Sequence, residues 1–325
     1  MFKRILLVTF LIASTSYPKQ PIAPSIPVST FSIIAYDSAT GQFGAAVQSH
    51  WFKVADVIWV EPKIGAVATQ SLVDFAYGPL GIEMMKKGKT ANQALAGLLA
   101  SDSNNAVRQV AMIDNKGNVV AHTGKKCIPE AGNHVGHNYS CQANLMEKST
   151  VPDAMAKAYE NATGDLSERL MAALEAAQAE KGDIRGMQSA AMLVVSGNPV
   201  GQSWRDNIVD LRVDDSPQPL VELRRLLNIN SAYEHMNHGD DLVAEGKMDE
   251  AGKEYAKAAE MAPGNMEIVF WHAVTLATNK ELEQSLPLFK QCFNADQRWR
   301  ILVPRLAQVE LLPNDKAMID KIVSQ

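Results

Sequence analysis

"TFSIIAYDSATGQFGAAVQS", residues 30–49, is the stretch on which the fold turns. Two apolar runs, Phe31–Tyr36 and Phe43–Val47, flank Asp-Ser-Ala-Thr-Gly-Gln, the pattern of a β-hairpin that begins at once with Thr30. Threonine is a good strand residue, so its place at the head of the first strand has a purely structural reading. It also has a chemical one: a threonine freed at a chain terminus is a nucleophile whose own α-amine is the base.

Downstream, Ala55–Val60 and Ile64–Thr69 read as two further strands turned by Glu61-Pro62-Lys63. Helical patterns follow at Gly78–Lys87 and, with Thr90 as N-cap, at Ala91–Ala100. A second hairpin is expected over Gln109–Ile113 and Val119–His122, then helices at Pro152–Asn161 and Leu166–Lys181, then strands at Ala190–Val195 and Ile208–Val213. That order suits an α+β domain with helices on both faces of stacked antiparallel sheets. The short hairpin links argue against a doubly wound parallel sheet, which needs helical crossovers.

Upstream, Met1-Phe2-Lys3-Arg4, the apolar run Ile5–Ala13 and Ser14-Thr15-Ser16 have the layout of a signal peptide over residues 1–16. Residues 17–29, "YPKQPIAPSIPVS", hold four prolines without the periodicity of a packed element and read as an extended linker. The expectation is an exported protein, periplasmic or secreted, without a transmembrane anchor. With 31 basic and 36 acidic residues, a net charge of −5 and no basic block, nucleic acid is not an expected partner.

The 325 residues suit two domains. "VDDSPQPLVELRRLLNIN" marks a boundary with a short amphipathic helix, giving one domain at 30–230 and a helical one at 231–325. In the latter a 34-residue offset superposes Gly239 on Ala273, Leu242 on Leu276, Ala251 on Ser285, Tyr255 on Phe289 and Ala258 on Cys292. This resembles the tetratricopeptide repeat over Ala232 to Gln297, with Ile301–Leu312 as a capping helix. The repeat implies a groove for a protein or peptide partner, and exposed aromatics such as Trp271 and Trp299 would suit assembly into a homo-oligomer.

The segments "TFSIIAYDSATGQFGAAVQS", "GAVATQSLVDFAYGPLGIEMM", "VRQVAMIDNKGNVVAHTG", "QANLM", "QSAAMLVV" and "DLRVDDSPQPLVELRRLL" together resemble the family of domain of unknown function 1028. That family is placed near the N-terminal nucleophile hydrolases. The resemblance implies a four-layer αββα sandwich followed by the tetratricopeptide-like helices, and an amidohydrolase whose nucleophile is Thr30 acting on a small amide or peptide. The α-amine, with a pKa of about 8, is partly neutral at neutral pH and able to take the hydroxyl proton. The expected processing site leaves residues 17–29 ahead of Thr30, where cytoplasmic relatives would begin at the threonine after loss of methionine.

By the same resemblance, Ser49 and Asn144 join Thr30 as catalytic candidates, and Thr69, Gln70, Arg108 and Gln142 as substrate-binding ones. Asn144 would stabilise an oxyanion or, as a buried amide, satisfy loop backbone. The lysine and aspartate that proteasome-type relatives place beside the nucleophile are matched only imperfectly by Lys53, Asp56 and Lys63.

"CIPEAGNHVGHNYSC" offers Cys127, His134, His137 and Cys141 as a tetrahedral zinc set. In an exported chain a Cys127–Cys141 disulfide is the favoured reading. Cys292 falls on a repeat position that wants a small core residue, and His235, His238 and His272 fall in the repeat helices as structural or groove-lining side chains. No cofactor signature is present. The alternative to an enzyme is a non-catalytic binding protein acting through its helical repeats.

Overall fold

The computed structural model describes Val28 and residues 30–325. The signal peptide at 1–16 and, Val28 apart, the linker at 17–29 lie outside the described residues. The opening hairpin forms as read: β1 (Thr30–Asp37) pairs antiparallel with β2 (Gln42–Ser49), placing Thr30 opposite Ser49. Gly41 takes the turn at a φ of 75°, and Asp37 accepts the Ala39 N–H at 2.9 Å.

Strand alternation then sorts the side chains between two cores. Phe31, Ile33 and Ala35 face helices α3 (Val151–Asn161) and α4 (Leu166–Ala179). Ile34 and Tyr36 face the other way. The hairpin is the middle of a six-stranded antiparallel sheet. Beside β2 lie β9 (Ser189–Val195) and β10 (Asn207–Val213), linked through the single turn α5 (Ser203–Asp206); beside β1 lie β8 (Tyr139–Ala143) and β7 (Gly132–Gly136).

The second sheet runs β3 (Ile58–Glu61), β4 (Gly65–Ser71), β5 (Arg108–Asp114), β6 (Val119–Thr123), all antiparallel. Ala66, Ala68, Ala111 and Ile113 on its inner face meet Ile34, Phe43 and Val47 of the first sheet. Its outer face packs Val67, Val110 and Met112 under α1 (Tyr77–Lys86) and α2 (Ala91–Ser101). Helix α2 starts where the N-cap was expected, on a reciprocal Thr90–Gln93 capping box.

The segment read as a cysteine–histidine loop contains the β7–β8 hairpin, turned at His137-Asn138. Its alternation decides the cysteines: Cys141 packs with Tyr139 and Ala143 in the α3/α4 core, while the Cys127 thiol donates to the Arg108 carbonyl of the other sheet at 3.4 Å. The expected Cys127–Cys141 disulfide is therefore not formed, and both are free thiols, as is Cys292. The zinc set does not gather either. His134 is bonded to Asp153 of α3 at 2.7 Å, and among the described residues no three His, Cys, Asp or Glu side chains form a group that could hold a metal ion.

The expected short helix before position 230 is the first half of a 26-residue helix, α6 (Pro219–Ala244). Leu220, Leu223 and Leu227 belong to the core beneath the six-stranded sheet, whereas Ala232, Met236 and Leu242 pack on α7 (Met248–Met261). A second pair, α8 (Met266–Thr278) and α9 (Leu282–Ala295), follows, and α10 (Arg298–Gln308) with α11 (Lys316–Val323) covers its far side. The ten residues matched by the 34-residue offset are all buried. A Cβ on Gly239 would lie 2.8 Å from the Tyr255 ring, so only glycine lets that pair close. Trp271 and Trp299 are half-buried rather than exposed, with Phe270 centred 5.7 and 4.7 Å from them. Among the described residues no helix is long and apolar enough to cross a membrane.

Candidate functional site

The inter-sheet core changes character at the end where β1 begins. Thr30, Ser32, Gln70, Gln109, Ser140, Gln142 and Asn144 are all at most 1% exposed, and they are linked to one another by hydrogen bonds. The carbonyl of Thr30 accepts from Gln70 Nε2 at 3.1 Å and from the Asn144 backbone N–H at 3.2 Å, with Asn144 Nδ2 at 3.5 Å. Gln70 Nε2 and Asn144 Nδ2 also donate to Gln109 Oε1, at 2.7 and 3.0 Å. Gln109 Nε2 in turn reaches Ala143 O and Thr123 Oγ1 at 2.9 Å and Gly132 O at 3.1 Å. A second branch runs from Gln142 Nε2 to Ser32 Oγ and on to Gln70 Oε1, each 2.7 Å.

This chain of amides and hydroxyls carries no formal charge. Gln109 sets its polarity: an oxygen that accepts from both Gln70 and Asn144 obliges those amides to turn their N–H groups inward, toward Thr30 O. Asn144 Oδ1 is left without a partner among the described residues, a buried acceptor beside the head of β1.

The Thr30 hydroxyl donates to Val28 O at 2.9 Å. Val28 in turn exchanges both backbone bonds with Ser71, at 2.8 and 3.0 Å. A peptide carbonyl cannot take up a proton, so with the bond before Thr30 intact the hydroxyl has no base in contact with it among the described residues. Freed by cleavage there, the Thr30 nitrogen becomes an α-amine on the same residue as the hydroxyl.

The structure thus brings Thr30, Gln70, Gln142 and Asn144 into one cluster, with Ser49 facing Thr30 across the β1–β2 ladder. Ser49 is buried, and its carbonyl accepts the Gln188 N–H at 3.1 Å. Thr69 and Arg108 fall elsewhere, because alternation in β4 and β5 turns them to the opposite face from Gln70 and Gln109. Thr69 Oγ1 lies 3.5 Å from Asp74 O. Arg108 clamps the loop after β4 to the end of α2, with Nε 2.7 Å from Asp102 Oδ2 and Nη1 2.5 Å from Leu72 O. Burial raises the Asp102 pKa, but bonds from Arg108 and the Asn104 N–H outweigh that and hold it below the usual carboxylate range. Burial and Asp102 together push the Tyr77 phenol well up. Lys53 and Asp56 pair with each other at 3.5 Å on the surface.

Sequence reasoning gave no site role to Gln109 or Ser32, which hold the cluster together; Gln109 entered only beside Arg108 as a match to the family motifs. The signal available was their type: a glutamine and a serine in runs that are otherwise apolar and inward-facing are polar groups that need partners.

The model of the family of unknown function DUF1028 matches residues 30–223. A crystal structure of a protein from Silicibacter pomeroyi, assigned to the same family, is similar with a TM-score of 0.54 and 29% identity. The match covers 61% of this chain and 88% of that one. No curated protein matches this chain.

Proposed function

The chain belongs to the family of unknown function DUF1028, and on that premise we propose that it is the unprocessed form of an exported amidohydrolase of N-terminal nucleophile type, with Thr30 as nucleophile. The observation that carries the reading is the placement of Thr30 at the head of β1, buried between two stacked sheets with its carbonyl held by Gln70 and Asn144. Helices on the outer face of each sheet agree with the αββα sandwich of that superfamily. Cleavage of the Ser29–Thr30 bond yields an α-amine that accepts the Thr30 hydroxyl proton as Oγ1 attacks an amide carbonyl. The substrate's amine leaves with the proton returned from the Thr30 α-ammonium, and water hydrolyses the threonyl ester. The paired helices α6/α7 and α8/α9 fit tetratricopeptide-like repeats that recruit a protein or peptide.

A second reading, a non-catalytic binding protein, is favoured by Val28. It is 1% exposed and exchanges both backbone bonds with Ser71, so this residue, two before Thr30, is part of the core. Intact mass and N-terminal sequence of the protein from its native source separate the two. A chain beginning at Thr30 that hydrolyses amides, and fails to as Thr30→Ala, supports the enzyme; a chain that retains Val28 supports the binding protein.

A further inference from the structure

The carbonyl oxygen of Val28 accepts two hydrogen bonds, from the Thr30 hydroxyl at 2.9 Å and from the Ser71 N–H at 3.0 Å, and the Val28 N–H donates to the Ser71 carbonyl at 2.8 Å. This antiparallel bridge extends the edge of β4 past the end of β3, whose pairing stops at Ile58 opposite Ala68. Ser71 sits at a φ of 72°, a left-handed conformation that serine seldom adopts and that is often found at functional sites. The Val28 side chain belongs to the inter-sheet core with Val47, Val54 and Val57.

Each of these contacts is one that a peptide-like substrate makes equally well. Cleavage before Thr30 separates Val28 from the domain, and its departure leaves the N–H and carbonyl of the buried Ser71 in need of partners. An acyl group entering as an antiparallel bridge supplies both: its own amide N–H donates to Ser71 O, and its carbonyl oxygen accepts from Ser71 N. With that oxygen in the place of Val28 O, the carbonyl carbon comes within reach of Thr30 Oγ1. As Oγ1 adds to the carbon its proton passes to the Thr30 α-amine, and the charge gathering on oxygen meets an N–H already aimed at it. The space left by the Val28 side chain suits a small branched aliphatic group. A phenyl ring overfills it, and a guanidinium enters an apolar cluster without a partner.

We propose, resting on Thr30 as the nucleophile, that Ser71 anchors the substrate through its backbone and donates its N–H to the oxyanion. The substrate is then a peptide-like amide: an N-acylated residue with a valine-sized side chain, cut at the C–N bond on its carbonyl side.

The test uses the chain beginning at Thr30, which keeps the whole family-matched region 30–223. N-acetylvaline p-nitroanilide is expected to be hydrolysed with a kcat/KM about tenfold or more above its phenylalanine and arginine analogues, and above its N-methylvaline form, which has no N–H for Ser71. Binding is read separately in Thr30→Ala of the same chain. There N-acetylvalinamide should shift the Ser71 amide resonance and slow its exchange about tenfold, whereas N-acetyl-N-methylvalinamide should do neither. Thr30-dependent hydrolysis that ignores side chain and N-methylation, with no response at Ser71, overturns the proposal and leaves the nucleophile standing. A response at Ser71 without hydrolysis by the unsubstituted chain supports the anchoring site and removes the nucleophile. A shortened chain that folds only with N-acetylvalinamide present supports the site in the same way, and one that neither amide rescues overturns it.

Discussion

The hydroxyl of Thr30 donates to the carbonyl oxygen of Val28, so the atom that would attack a substrate is tied to the segment that would have to leave. Thr30→Val tests both roles at once. The Val28 carbonyl keeps its bond from the Ser71 N–H, so the stability loss should be small, under about 1 kcal/mol by chemical denaturation. In a chain that begins at residue 30 the same change should abolish amide hydrolysis, while Thr30→Ser should retain it. Hydrolysis that survives in Thr30→Val would remove Thr30 from the chemistry.

Gln109 occupies the centre of the buried amide cluster, with an oxygen that serves two donors and a nitrogen shared among three acceptors. Gln109→Leu leaves those groups short of partners in a dry core and should cost about 3 kcal/mol or more. Thr123→Ala removes one of the three acceptors and should cost about 1 kcal/mol. Equal losses in the two variants would show that Gln109 does not organise the cluster.

Asp114 closes the β5–β6 hairpin and reaches α2, accepting from the backbone N–H groups of Ala91 and Lys116 at 2.9 Å and of Asn118 at 3.2 Å. Burial raises its pKa, but these donors and the Asn118 side chain outweigh that and hold it below its ordinary value. A carboxyl depressed in the folded state stabilises the fold above its unfolded pKa of about 3.9, and that stability is lost as pH falls through the lower folded value. Asp114→Asn should therefore be less stable than the parent at pH 7 and should lose less on acidification below pH of about 4. Parallel stability curves for the two proteins would contradict this role.

His272 stacks on Tyr255 with ring centroids 3.7 Å apart, and burial pushes its pKa down from 6.5 to about 4. Between those values the unfolded chain binds the proton and the folded chain does not, so stability falls as pH drops from 6.5 toward 4. His272→Phe keeps an aromatic ring on Tyr255 and removes the titration. It should flatten melting temperature against pH across that window, and an unchanged slope would place the titration elsewhere.

The hairpins were legible because Phe31–Tyr36 and Phe43–Val47 bracket a turn of polar residues and glycine, and α2 because Thr90 and Gln93 are spaced as a capping box. Strand β7, "GNHVG", was not: it is a half-exposed edge strand with two glycines, and its histidine drew attention to metal chemistry instead. The length of α6 was hidden because Asn228, Asn230 and Ser231 interrupt its apolar pattern where the helix passes from one core to another. Thr30, Gln70, Gln142 and Asn144 were named as candidates through the family resemblance, since they come from two different sheets that strand alternation alone does not bring together. The central role of Gln109 was not read because its partners lie 39 and 35 residues away, across two sheets whose register a single sequence does not reveal.

Helix α6 belongs to two cores, and its 26 residues span about 39 Å at 1.5 Å per residue. One unbroken helix joins the sheets to the helical pairs. A partner gripping α7 and α8 would thus pull on the floor beneath β9 and β10, and tension on one half of the molecule would reach the other as a push or a twist along a single axle.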